Sequence, residues 1–268
     1  ELGVNFIDSS SQYGDSETLL GRMLADVPRD RFLIATKFPS AIDGRVPSGA
    51  EVTASVEGSL ERLGVDAIDL LQFHGVIPEL FDEVMETQLP TATRLLDQGK
   101  CRFLGMSENY SRDHHHEAVR RGLEVEAIDA MMIAYSILSP SAGELAFDSC
   151  LERNVGVIDM VAVRRGLSRP ERLRRRIRDA VERGVIDAGS VDLGDPLGWL
   201  LGGDVPSLPA AGYKFAASHP AVSTVLTGTA NIRHLEANAA AVNGPPLDAE
   251  AMARIRRIFG RVRENLGD

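Results

Sequence analysis

The sequence has 268 residues, 44% of them hydrophobic, and a formal net charge of −10. That length suits one α/β barrel of roughly 250 residues, and the acidic balance argues against a general nucleic-acid binder, whose phosphate contacts need a basic footprint. Cys101 and Cys150 are the only cysteines, which implies no disulfide framework and fits a reducing cytoplasm; no apolar run reaches the roughly 18 residues of a membrane span, and no signal peptide is visible.

Seven short apolar runs rich in β-branched residues alternate with helical segments. The chain opens on a strand at Val4–Ile7, followed by a helix at Ser16–Leu24 whose Leu19, Leu20, Met23 and Leu24 share one stripe. A strand at Phe32–Thr36 leads to a helix at Glu51–Leu63, preceded by Pro47-Ser48-Gly49 and closed by Gly64. Next come a strand at Ile68–Phe73, a helix at Glu79–Gln98, a strand at Arg102–Met106 and a helix at Asp113–Arg121. Ala130–Ala134 and Val155–Val161 read as strands, with a helix at Ser141–Arg153 between them. Helices at Arg169–Arg183 and Leu208–Ser218 precede the last strand, Val222–Leu226, and helices at Ile232–Val242 and 248–266 close the chain. Continuous apolar strands alternating with helices predict parallel βαβ units and one α/β domain over 1–268.

In a parallel barrel the chemistry sits at the C-terminal ends of the strands. Asp8, Lys37 and His74 each follow one of three successive strands, and Tyr13 lies in the loop after the first. Each alone has an ordinary explanation: a turn cap, a solvated lysine, a structural histidine. Their shared position across three βα units points instead to one site. A lysine near a tyrosine favours the phenolate, and Asp8 would keep that lysine charged and aimed. His74 would donate a hydrogen bond to a carbonyl, with Tyr13 as its general acid or base.

These stretches resemble the aldo-keto reductase superfamily: Gly3-Val-Asn-Phe-Ile-Asp-Ser-Ser-Ser-Gln-Tyr-Gly14 with Ser16-Glu17, Ala35-Thr-Lys37, Asp69-Leu-Leu-Gln-Phe-His74, Gly99 to Gly105 with Ser107, and Thr227 to Asn238. The resemblance implies a (β/α)8 TIM-type barrel and a catalytic set of Asp8, Tyr13, Lys37 and His74. It implies a nicotinamide cofactor, NADP(H) or else NAD(H), with Ser107 on the carboxamide. Gly228, Thr229, Asn231 and Arg233 fall near the adenosine phosphate, and Asn238 near adenine. Helix N-terminal N–H groups favour phosphate at such a turn. The substrate implied is a small aldehyde, ketone or alcohol, with no nucleic acid or membrane partner. The alternative function is a nicotinamide-nucleotide sensor or regulatory subunit with little turnover.

The sequence departs from the family pattern at Glu108, Met132, Met160 and Ala230, where Asn, Gln, an aromatic and a basic residue are usual. The first three alter the nicotinamide pocket, and Ala230 weakens the case for NADP over NAD. The family barrel has eight strands, and the first strand and helix are expected to be missing from the given chain. Arg164 and Arg165 are candidates for the cofactor pyrophosphate or are surface arginines. Trp199 lines the substrate entrance or packs under a loop. His114-His115-His116 does not read as a metal site, because adjacent helical residues point about 100° apart; no Gly-x-Gly-x-x-Gly element suggests a Rossmann site.

Overall fold

The computed structural model describes residues 2–267. Two compact units are present: Gly3–Asp113 with Glu117–Met132, and His114–His116 with the chain from Ile133 onward.

The first unit runs β1 (Phe6–Asp8), α1 (Ser16–Leu24), β2 (Leu33–Pro39), α2 (Gly49–Leu63), β3 (Ile68–Val76), α3 (Phe81–Asp97), β4 (Cys101–Glu108), α4 (Glu117–Gly122) and the opening of β5 (Ala130–Ala134). Successive strands pair in parallel, with Ile7 opposite Ile34, Thr36 opposite Leu71, Leu71 opposite Leu104 and Met106 opposite Met131. Ile34, Phe38, Leu71, Phe73, Leu104 and Met106 are all buried. Each contributes about 1.5–3 kcal/mol through burial of its side chain. This is why their runs lack the alternation of a half-exposed strand.

The second unit contains the end of β5, then α5 (Ala142–Leu145), α6 (Phe147–Glu152), β6 (Gly156–Met160), α7 (Arg165–Ser168), α8 (Pro170–Glu182), α9 (Leu208–Ala217), β7 (Val222–Val225), α10 (Ile232–Asn243) and α11 (Ala249–Phe259). β6 and β7 are parallel, with Ile158 opposite Thr224. The Tyr135 N–H donates to Asp159 Oδ1 at 2.9 Å, fixing the chain after β5 beside β6. The α/β class and the parallel strand–helix repeat are those the sequence predicts. Among the described residues no helix is long and apolar enough to cross a membrane.

Element ends differ from expectation for local reasons. β2, β3 and β4 continue past Thr36, Phe73 and Met106, so Lys37, His74 and Ser107 lie inside the strands that they were expected to follow. α2 begins at Gly49 because Ser48 caps it from outside, in a reciprocal box with Glu51. The segment 113–121 is helical only from Glu117, since His116 takes a left-handed φ of 53°. The helix expected over Ser141–Arg153 breaks at Ala146, where φ is −139°. The C-terminal helix, expected over 248–266, ends at Phe259; Val262 and Leu266 are buried from irregular chain instead.

Glu17 anchors this frame beside the first loop. It is 1% exposed, accepts from Thr36 Oγ1 at 2.5 Å, and pairs through Oε2 with Arg62 Nε at 2.8 Å and Nη2 at 2.7 Å. Removing the carboxylate strands a hydroxyl and a half-covered guanidinium. Glu17→Ala is expected to cost about 2–4 kcal/mol, lowering the thermal midpoint by roughly 5–10 °C. Calorimetry checks this, and an unchanged midpoint would remove Glu17 from the frame.

Candidate active site

The loop after β1 extends the ladder before it turns. Ser9 N donates to Ala35 O at 2.9 Å and Ser11 N to Lys37 O at 3.1 Å. The chain then folds back, with Tyr13 N donating to Ser10 O at 3.0 Å and Gln12 N to Ser10 Oγ at 3.1 Å. Gly14, at φ +58°, leads into α1. This turn leaves the Tyr13 ring 49% exposed beside the ends of β2 and β3.

The structure brings Asp8, Tyr13, Lys37 and His74 together. Lys37 is 1% exposed, and its ammonium donates to Asp8 Oδ2 at 2.5 Å and to Ser9 O at 2.7 Å. The same ammonium lies 5.1 Å from the Tyr13 ring centroid. Tyr13 Oη is 3.4 Å from His74 Nε2, and the two rings meet edge-on at 5.4 Å. After His74, Gly75 takes φ +67°, a conformation that glycine adopts without strain. The register of β3 against β4 shifts there, and Gly75 N donates to Ser107 Oγ at 2.9 Å.

Burial raises the pKa of Asp8 and lowers that of Lys37, and their mutual attraction opposes both shifts. The Tyr13 phenol is also pushed up, first by burial and then by the charge of Asp8. This reverses the expected lowering by Lys37. The reason is geometric: the ammonium sits against the ring and is compensated by a carboxylate in contact with it. Tyr13 is therefore a protonated donor at neutral pH. Burial, then Lys37, lowers His74 to about 4. Its imidazole is neutral at pH 7 and has one proton to place.

Gln12 and Ser10 bear on that proton. Gln12 Oε1 lies 2.7 Å from His74 Nδ1, and Ser10 Oγ lies 3.1 Å from it. With the proton on Nδ1 held by Gln12, Nε2 accepts from the Tyr13 hydroxyl. With Ser10 donating to Nδ1, Nε2–H becomes the donor that the sequence reading expected. Gln72 completes the set by donating from Nε2 to Asp8 Oδ1 at 3.3 Å. Sequence reasoning did not single out Gln72, although it precedes His74 by two residues and so shares its face of β3.

The low His74 pKa has a measurable sign. The folded value of about 4 lies below the unperturbed value of about 6.5. Stability from this group is complete above the unfolded value and declines as pH falls toward the folded one. Proton NMR of the His74 ring is expected to show the neutral shift down to about pH 5. A midpoint near 6.5 would contradict the buried environment.

The remaining predicted residues divide between the units. Ser107, in the first, is 2% exposed, and accepting from Gly75 leaves its hydroxyl proton free to donate. In the second, Gly228, Thr229, Asn231 and Arg233 are exposed around the start of α10. Asn231 caps that helix by accepting from Arg233 N at 3.0 Å, and Thr229 Oγ1 accepts from Asn231 N at 3.1 Å. A Cβ added at Gly228 would meet nothing within 4 Å. An open turn, a 12-residue helix start and an arginine beside it fit a phosphate group. Asn238 is more committed than expected: its Nδ2 donates to Thr227 Oγ1 at 2.7 Å and to Tyr213 Oη at 3.3 Å. Trp199 donates to Pro196 O and lies under the Arg254 guanidinium, so it packs within the second unit. His116 is buried against Ser141 Oγ at 2.8 Å.

The Aldo/keto reductase family matches residues 1–259. The chain belongs to this family. Among solved structures, the aldo-keto reductase AKR11C1 from Bacillus halodurans, in its holo form, is 26% identical with a TM-score of 0.69; the match covers 97% of this chain and 84% of that one. An aldo/keto reductase from Klebsiella pneumoniae, in complex with NADP and acetate, is 23% identical with a TM-score of 0.62, over 100% of this chain and 84% of that one. L-galactose dehydrogenase from Arabidopsis thaliana is 36% identical over 110 residues, 40% of this chain. The chain matches about a third of that relative's length, 34%. The fold is thus of the (β/α)8 aldo-keto reductase class, with seven parallel strands among the described residues.

Proposed function

We propose that this aldo-keto reductase family chain reduces a small aldehyde or ketone to an alcohol, reversibly, using NADP(H). The observation that carries the reading is the cluster of Asp8, Tyr13, Lys37 and His74, with a protonated tyrosine half-exposed beside a neutral histidine. The family match over 1–259 supports treating 1–268 as one functional domain. The NADP held by the Klebsiella relative supports the choice of cofactor.

Ser107 would hold the carboxamide. The turn at Gly228, Thr229 and Asn231 would hold the adenosine phosphate, with Arg233 toward the 2′-phosphate and Asn238 near adenine. When bound, the reduced nicotinamide supplies a hydride to the carbonyl carbon. Tyr13 then gives its proton to the carbonyl oxygen, and solvent restores that proton at the exposed edge of the ring. His74 orients the Tyr13 hydroxyl or the carbonyl, according to which ring nitrogen carries its proton. Lys37, compensated by Asp8, packs its ammonium under the Tyr13 ring and helps fix the ring's position. Asp8, held by Gln72, keeps Lys37 in place.

The test is steady-state oxidation of NADPH with a panel of small aldehydes and ketones, alongside dissociation constants for NADP(H) and NAD(H). Turnover with identified alcohol supports the reading. Tight cofactor binding without turnover on any substrate would favour the sensor alternative. Tighter binding of NADP(H) than NAD(H) is expected from Arg233 and His234, and equal affinities would refute that preference.

A further inference from the structure

The second unit carries a cleft unrelated to any residue assigned above. It has a volume of about 620 Å³, and Tyr135, Gly143, His219, Arg256, Arg257 and Arg261 are among the residues lining it. The floor is an aromatic cluster around Tyr135, which is 2% exposed. The Tyr135 ring stacks on Phe215 at 4.7 Å and meets Phe147 at 4.8 Å and His219 at 5.7 Å. Gly143 packs close against that ring, since a Cβ there would come within 3.2 Å of the Tyr135 ring and 3.5 Å of its hydroxyl.

Three arginines and one acid, Glu144, line the cleft, and Asp148 acts on His219 from outside the lining. Arg254 is engaged with Trp199, and Arg263 pairs with Glu144 at 2.9 Å. That pairing occupies the carboxylate that lines the cleft. Among the described residues no hydrogen bond or ion pair engages the guanidiniums of Arg256, Arg257 or Arg261. His219 Nδ1 accepts from Ala221 N at 3.2 Å, which leaves its Nε2 as the protonated, donating nitrogen. The C-terminal end of α11 adds about half a negative charge nearby, too little to neutralise three cations. That dipole accounts for basic residues in the last turn of a helix. It does not account for a third arginine beyond the helix sharing one concave surface with them.

From this cleft we infer a second ligand site, which takes a small phosphate monoester. The phosphate sits among Arg256, Arg257 and Arg261, and the organic part lies against His219, beside the buried Tyr135 ring. Three guanidiniums, with Glu144 paired to Arg263 and Asp148 acting on His219, match a dianion with three acceptor oxygens better than a carboxylate, and planar guanidinium forks suit phosphate geometry. A cleft of this size is in the range of small-molecule sites, roughly 300–1,000 Å³.

The experiment is calorimetric titration of the full chain with phenyl phosphate, inorganic phosphate, benzoate and phenol, with and without saturating NADP+. Phenyl phosphate is expected to bind in both conditions, more tightly than benzoate, with phenol silent. The Arg257→Ser/Arg261→Ser variant alters exposed side chains, so its thermal midpoint should match the parent. It is expected to weaken phenyl phosphate at least tenfold while NADP+ affinity is unchanged. As a second reading, the His219 ring protons of the parent should shift on adding phenyl phosphate. No saturable binding, binding abolished by NADP+, equal affinity for benzoate, or retention of affinity in the variant would each overturn the site. Because the readout is binding in this cleft, it is separable from any failure of carbonyl reduction.

Discussion

Replacing Tyr13 by phenylalanine is expected to lower kcat for carbonyl reduction by at least the roughly 10²–10⁴-fold that a positioned general acid supplies. NADP(H) affinity should stay within about twofold, since the phosphate-end residues are untouched and a loss of one neutral hydrogen bond is small. The argument rests on the hydroxyl. Of the four clustered residues, Tyr13 alone combines a proton held at neutral pH with open access, because Lys37 is bound to Asp8 and Ser9 O. The ring of the variant still packs edge-on against His74, so the fold should not change. Stopped-flow turnover and cofactor fluorescence measure the two quantities. Unchanged kcat would remove Tyr13 from the chemistry, and loss of cofactor binding would give it a different role.

The second large effect is on stability and concerns the buried pair. Lys37→Met alone leaves the Asp8 carboxylate 11% exposed with only Gln72 to hold it. Removing one partner of a buried pair costs about 3–5 kcal/mol. Asp8→Asn/Lys37→Met is expected to recover most of that loss while remaining inactive. The directions of the pKa shifts give the sign. Folding favours protonated Asp8, so its contribution is present at low pH and lost as pH rises through the raised folded value. Folding disfavours charged Lys37, so its contribution is present at high pH and lost as pH falls through the lowered folded value. For both groups burial of the charged form is the larger effect and mutual attraction the opposing one, so the ion pair carries a net cost of burial. Urea midpoints of parent, single and double variants test this. A double variant no more stable than the single would mean that the pair supports the fold as well as the site.

Much of the fold was legible because buried parallel strands leave continuous apolar runs, and Ala130–Ala134 appears in the structure with the bounds read from the sequence. Strand ends were less legible. Polar residues such as Lys37 and Ser107 end an apolar run without ending the hydrogen-bond ladder, and Lys37 still stands opposite Gln72. The break at Ala146 was invisible because alanine is a good helix former; the break places Ala146 and Phe147 in the core. The last helix was overestimated because Val262 and Leu266 continue an apolar pattern after the backbone has left the helix.

The site was legible in its residue types and only partly in its physics. Three ionisable residues near strand ends and a tyrosine in the intervening loop suffice to nominate the cluster. Their sequence does not say that the Lys37 ammonium lies against the Tyr13 ring and is neutralised by Asp8, and so the direction of the Tyr13 shift was misjudged. Nor does it say that Asn238, matched to a cofactor position, spends its amide on Thr227 and Tyr213. Both depend on distances between segments remote in sequence.

The most direct test of the central claim is isotope transfer. The chain is incubated with NADPH deuterated at the transferring C4 position and a small aldehyde that it turns over, and the alcohol is weighed by mass spectrometry. Hydride transfer with Tyr13 as acid predicts an alcohol one mass unit heavier at carbon, formed by the parent and reduced by about 10²-fold or more in Tyr13→Phe. An alcohol without the label, or the same labelled yield from the Tyr13→Phe variant, would contradict the account.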